Sequence, residues 1–127
     1  MSLRSPLARV RGLGSAKEGT GHWWAQRLTA LALIPLIIWF CAAVVALIGA
    51  DHATVAGWIG SPLVAGLLIL LIVATFYHAV LGLQVVIEDY VHGEMPKMAL
   101  LLIVKALAIV LGLSGVLSVL TLLFSGA

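Results

Sequence analysis

Three long apolar runs separated by short polar connections set the architecture of this chain before any single residue is considered. They lie at about residues 24–50, 62–88 and 98–124, and each is long enough to cross a hydrocarbon core of about 30 Å as one helix. The middle run is the cleanest, with no Lys, Arg, Asp or Glu from Pro62 to Ile87. The pattern predicts an all-α membrane protein with three transmembrane helices. Residues 1–21 precede it as a basic, irregular tail, and residues 22–127 form the three-helix membrane unit. Pro35 falls inside the first run, where it either kinks the helix or is tolerated because neighbouring helices re-satisfy the freed backbone groups. The segment Asp51 to Ser61 reads as a short loop with turn-prone Gly57 and Gly60, and Trp58 as an interfacial aromatic. Gly93 and Pro96 stop the second helix and admit the third.

Composition agrees with this reading and narrows it. Of 127 residues, 63% are hydrophobic and 9% charged, which excludes a water-soluble domain with a polar surface. Three spans leave no room for a soluble catalytic domain. The single cysteine, Cys41, excludes an intrachain disulfide and any multi-cysteine metal or iron–sulfur site. All seven basic residues (Arg4, Arg9, Arg11, Lys17, Arg27, Lys97 and Lys105) fall in the tail or near the second connection. The excess of Lys and Arg stays inside. The amino terminus is therefore expected on the cytoplasmic or matrix side, and the carboxyl terminus on the periplasmic or intermembrane side. The tail has no apolar core of a secretory signal; its Arg- and Ser-containing, acid-poor start also fits a transit-peptide-like segment, but Glu18 and the lack of a clean amphipathic period favour a retained tail. Lys105 can snorkel toward the nearer interface, and Gly112, Ser114, Gly115 and Ser118 offer small residues for a close helix approach.

One position breaks the apolar pattern of the second span. His78 lies eleven residues before Asp89, roughly 16 Å along the axis and so near the bilayer centre. An ionisable side chain at that depth is costly and is a functional-site hypothesis by default. The helical repeat puts His78, Gly82, Val85 and Asp89 on one face. A neutral imidazole in a dry bundle is a good haem-iron ligand, but it also serves as an interhelical hydrogen bond, and the bare sequence weighs the two evenly. A second histidine at the same depth is absent from the other spans, since His22, His52 and His92 lie near the membrane surfaces. A bis-histidine site would take its second ligand from another polypeptide. Cys41 reads as a small buried packing residue.

The inner end of the second span carries further candidates. Glu88 and Asp89 oppose the helix macrodipole, where cations are favoured. Solvation at the interface explains Glu88. For Asp89 and Tyr90 a binding site is the alternative to an interfacial belt, because a phenol donates to a ligand carbonyl and a carboxylate orients a basic partner. Arg27 either snorkels to the headgroups or pairs with a cofactor carboxylate or with Asp89, and His22 reads as interfacial.

Two local patterns resemble a known family. One is His78 followed after ten residues by Asp89-Tyr90, within YHAVLGLQVVIEDYVH; the other is Arg27 in RLTALAL at the start of the first span. With the three-span plan, these are similar to the small hydrophobic membrane anchor of succinate dehydrogenase (complex II), the companion of that enzyme's cytochrome-b-type anchor. The resemblance implies that His78 is an axial ligand of haem b, shared with the second, cytochrome-b-type anchor subunit, which gives the other histidine. It implies that Tyr90 donates a hydrogen bond to ubiquinone, that Asp89 supports that site by positioning a partner arginine, and that Arg27 and His22 face the haem propionates. Iron–sulfur and flavoprotein subunits are the implied soluble partners, the latter holding the flavin chemistry. A bacterial inner membrane is the expected location ahead of a mitochondrial one. The competing reading is a non-redox assembly or transport component with His78 as proton relay or interhelical bond.

Overall fold

The computed structural model describes residues 5–10 and 17–126. Arg4 and Arg11 of the basic tail lie outside the described residues, as do the side chains of Arg9 and Lys17. Among the described residues five helices follow one another: α1 (Pro6–Val10), α2 (Lys17–Ala46), α3 (His52–Ile59), α4 (Pro62–Tyr90) and α5 (Glu94–Phe124). There is no strand among the described residues. Three stretches, Gly19–Ala46, Pro62–Tyr90 and Glu94–Phe124, are long and apolar enough to span a membrane.

Two boundaries differ from the sequence reading. Helix α2 begins at Lys17 instead of opening near residue 22, and part of the tail forms the short α1, so the first 21 residues are not uniformly irregular. The segment taken as a loop is mostly α3. Its start is set by Asp51, which has extended backbone angles (φ −77°, ψ 169°) and whose carboxylate accepts a hydrogen bond from the Thr54 N–H at 2.9 Å. That bond satisfies one of the amides every helix leaves without an internal partner at its amino end. Helix α2 runs through Pro35 unbroken and closes in a turn where Gly49 takes φ +83°, a conformation that favours glycine.

Helix α4 starts with Pro62 at its first position, where the missing N–H costs nothing. At its other end the chain reverses through Val91, His92 and Gly93 into α5. A side chain at Gly93 would place its Cβ 2.7 Å from Pro96 Cγ, so this corner requires glycine. Helix α4 sits centrally, packed by α2 along one side and by α5 along the other, with α3 across the end where α4 begins and α5 closes. Ala65, Leu68 and Val119 form the buried core near that end, flanked by Trp39 and Trp58. The two indoles stack with centroids 5.8 Å apart, so half-buried Trp58, on the connection between two spans, also packs against α2. Most other large apolar side chains are exposed, among them Ile38, Leu70, Leu102 and Ile109, as befits surfaces that meet lipid or another subunit.

Candidate functional site

Helices α2 and α4 bring together the polar side chains that the apolar pattern cannot explain. Half-buried His78 faces α2, and its Nδ1 lies 2.9 Å from Thr29 Oγ1 across 49 residues of sequence. Thr29 also lies 2.7 Å from the Ala25 carbonyl oxygen and 3.0 Å from that of Gln26. Back-bonding of this kind is how a threonine hydroxyl is accommodated inside a helix. Among the described residues, Nε2 of His78 makes no hydrogen bond.

One turn toward the end of α4, Gly82 opens space opposite Gln26, whose Nε2 would stand 3.6 Å from a Cβ there. The space continues as a cavity of about 530 Å³ bounded by His22, Trp23, Gln26, Gly82 and Val85. Two buried polar atoms at its wall, His22 Nε2 and Gln26 Oε1, have no hydrogen-bond partner. A buried polar atom left without a partner costs about 1–3 kcal/mol, so these two are the polar groups of the cavity wall that need an account.

The predicted face is realised in part. His78 contacts α2, and Gly82 and Val85 line the cavity, whereas Asp89 does not. Asp89 and Tyr90 are exposed at the end of α4, Tyr90 by 78%. Glu88 accepts a hydrogen bond from Gln84 Nε2 at 3.0 Å. Arg27 is exposed with its Cζ 5.4 Å from the Trp23 ring centroid, a cation–π arrangement, and is not paired with Asp89. His22, expected on the sequence alone to be a simple interfacial residue, is half-buried at the cavity wall.

Thr29 and Gln26 escaped the sequence reading. Their signal was present as spacing, since His22, Gln26 and Thr29 stand at i, i+4 and i+7 on one face of α2. The other side of α4 offers a groove of about 470 Å³ toward α5, bounded by apolar side chains with Tyr77 and Lys105. It contains no unpartnered buried polar atom. Among the described residues, no three His, Cys, Asp or Glu side chains converge as a metal cluster.

The family described as succinate dehydrogenase/fumarate reductase transmembrane subunit matches residues 1–124. The chain belongs to this family. It is 32% identical over 107 residues to the succinate dehydrogenase hydrophobic membrane anchor subunit of Rickettsia bellii (strain RML369-C), covering 84% of this chain and 86% of that protein. The corresponding subunit of Paracoccus denitrificans is 33% identical over 101 residues, covering 80% and 78%. The succinate dehydrogenase membrane anchor subunit of Reclinomonas americana is 32% identical over 96 residues, covering 73% and 80%. These homologues are subunits of succinate dehydrogenase, a quinone oxidoreductase complex.

Proposed function

We propose that this chain is the small hydrophobic anchor of a succinate:quinone oxidoreductase, paired with a cytochrome-b-type anchor, and helps to build a haem b site and a ubiquinone-reduction site. The observation that carries the reading is the pairing of a mid-span imidazole, bonded through Nδ1 and free at Nε2, with a neighbouring cavity whose wall holds unpartnered His22 Nε2 and Gln26 Oε1. These residues fit a haem: His78 Nε2 is a ligand atom, and His22 with Arg27 supplies the polar groups that propionates need. When bound, the haem supplies a one-electron store. A second histidine ligand would come from the partner anchor subunit.

Tyr90 donates its phenolic hydrogen to a ubiquinone carbonyl, and Asp89 orients an arginine of a neighbouring subunit. Both are exposed here, which suits a site completed by the iron–sulfur subunit and the partner anchor. The charge distribution supports a cytoplasmic amino terminus and an outer carboxyl terminus, with residues 1–21 as tail and 22–127 as anchor. That orientation puts Asp89 and Tyr90 on the side where iron–sulfur and flavoprotein subunits dock, in a bacterial inner membrane.

A second reading has one observation in its favour: the His78–Thr29 bond is also what an interhelical link in a non-redox component looks like. A reduced-minus-oxidised optical spectrum of the intact complex separates the two. The anchor reading expects b-type bands, and their absence retires the haem role of His78.

A further inference from the structure

We infer that Thr29 is the positioning residue for the His78 imidazole, fixing both its orientation and the tautomer that leaves Nε2 free to ligate. The inference rests on the ligand role proposed for His78 and adds to it a residue that no motif pointed to. Its basis is a count of protons around one oxygen.

A threonine hydroxyl has one hydrogen to give and can accept through its lone pairs. The carbonyl oxygens of Ala25 and Gln26, at 2.7 and 3.0 Å, can only accept, so the Thr29 hydrogen is directed to the α2 backbone. What remains toward His78 is lone-pair density at 2.9 Å. The contact therefore forms with Nδ1–H of the imidazole as donor. A neutral imidazole has one N–H, and placing it on Nδ1 leaves Nε2 with its lone pair. The backbone of α2, acting through a hydroxyl, thereby selects the tautomer of a side chain on α4.

The same chain of bonds tunes the ligand. An oxygen that is donating becomes a better acceptor, so the Ala25–Thr29–His78 series strengthens the pull on Nδ1–H. Withdrawing that hydrogen raises the basicity of the ring at Nε2, which is the usual effect of the outer partner of a ligating histidine. A carboxylate in the place of Thr29 would do this more strongly but would bring an uncompensated charge to mid-membrane depth. A hydroxyl achieves a moderate effect without one. Because donor and acceptor lie on different helices, the ring is referenced to α2, the helix that also carries His22, Gln26 and Arg27.

The test uses the whole complex, purified with its partner subunits, carrying Thr29→Val, Thr29→Ala or Thr29→Ser. Valine keeps the shape without the hydroxyl, alanine removes hydroxyl and bulk, and serine keeps the hydroxyl. Subunit stoichiometry verifies assembly; the readouts are the haem midpoint potential, the low-spin ferric resonance and haem retained per flavin. A less basic ligand stabilises ferric iron less. Valine and alanine should therefore both shift the midpoint positive and alter the resonance, with haem affinity lowered by about 10- to 100-fold, while serine stays with the wild type. The inference is overturned if serine behaves like valine and alanine, if alanine alone departs from wild type, or if all three match it. A wild-type complex without b-type bands removes the ligand role of His78, and this inference with it. Should the valine variant fail to assemble, the alanine and serine pair gives the same decision.

Discussion

Helix α4 meets α2 on one side and α5 on the other, and the two seams are built from different materials. Toward α5 the contact is apolar, close at two glycines and open in the groove of about 470 Å³ beside them. A Cβ at Gly112 would lie 3.4 Å from Phe76 Cδ2, and one at Gly115 would lie 3.3 Å from Ile72 Cδ1, with Ala65, Leu68 and Val119 buried nearby. Toward α2 the contact is a polar bond at His78, then a cavity with two orphaned polar atoms. Lipid tails are as apolar as leucine, so burying apolar surface does not itself drive helices together in a membrane. The α4–α5 seam holds by dispersion where Gly112 and Gly115 admit Phe76 and Ile72, whereas the α2–α4 seam adds a hydrogen bond and leaves two buried polar atoms without a partner among the described residues. One seam is built of apolar contacts and the other of polar ones.

That contrast breaks most sharply at His78. His78→Leu should abolish the b-type absorption of the complex, read in a reduced-minus-oxidised spectrum, while the α4–α5 seam is untouched. The converse experiment is Gly115→Leu, which forces added atoms against Ile72. It should lower the stability of the purified complex by about 1–3 kcal/mol in thermal unfolding and leave the band positions of the folded fraction in place. If instead Gly115→Leu shifts the bands, the two seams are not separable.

Tyr90→Phe sharpens the chemical side alone. It should slow quinone reduction about tenfold, the worth of one hydrogen bond near 1.4 kcal/mol, while succinate oxidation through an artificial dye acceptor continues. Equal loss of both activities would indicate misfolding and not a lost hydrogen-bond donor.

The smallest effect is expected at the far end of the structural seam, where α3 crosses α4 and α5. Hydrogen bonding from the Thr54 side chain, and then from its backbone N–H, holds the Asp51 carboxyl below its ordinary pKa. A carboxyl depressed in the folded state contributes stability above its unfolded pKa of about 3.8, and that contribution fades as pH falls through the lower folded value. Amide exchange at Thr54 should therefore quicken relative to the other helices only in strong acid. Asp51→Asn, which keeps a capping oxygen, should remove that pH dependence.

Much of this molecule is local, and local properties are legible in a sequence. Hydropathy marked all three spans, the helical repeat put Gly82 and Val85 on the face of His78, and the Asp89-Tyr90 end of α4 was visible as charge where the macrodipole disfavours it. The eight-residue α3 was not found, because an apolar stretch so short and lacking Lys or Arg reads as a connection until Asp51 is seen capping it. The stacking of Trp58 on Trp39 likewise left no mark in the sequence.

The site itself divides along the same line. That His78 lies deep in a span follows from its position in the chain, and so does the need for something to satisfy it. That Thr29 meets its Nδ1, and that His22 and Gln26 stand unpartnered at a cavity beside Gly82, follows only from how α2 docks on α4. In a soluble helix the apolar face announces which side turns inward. A helix made for lipid is apolar all round, so its repeat says which residues share a face but not which neighbour that face will meet, and only the packed bundle decides that.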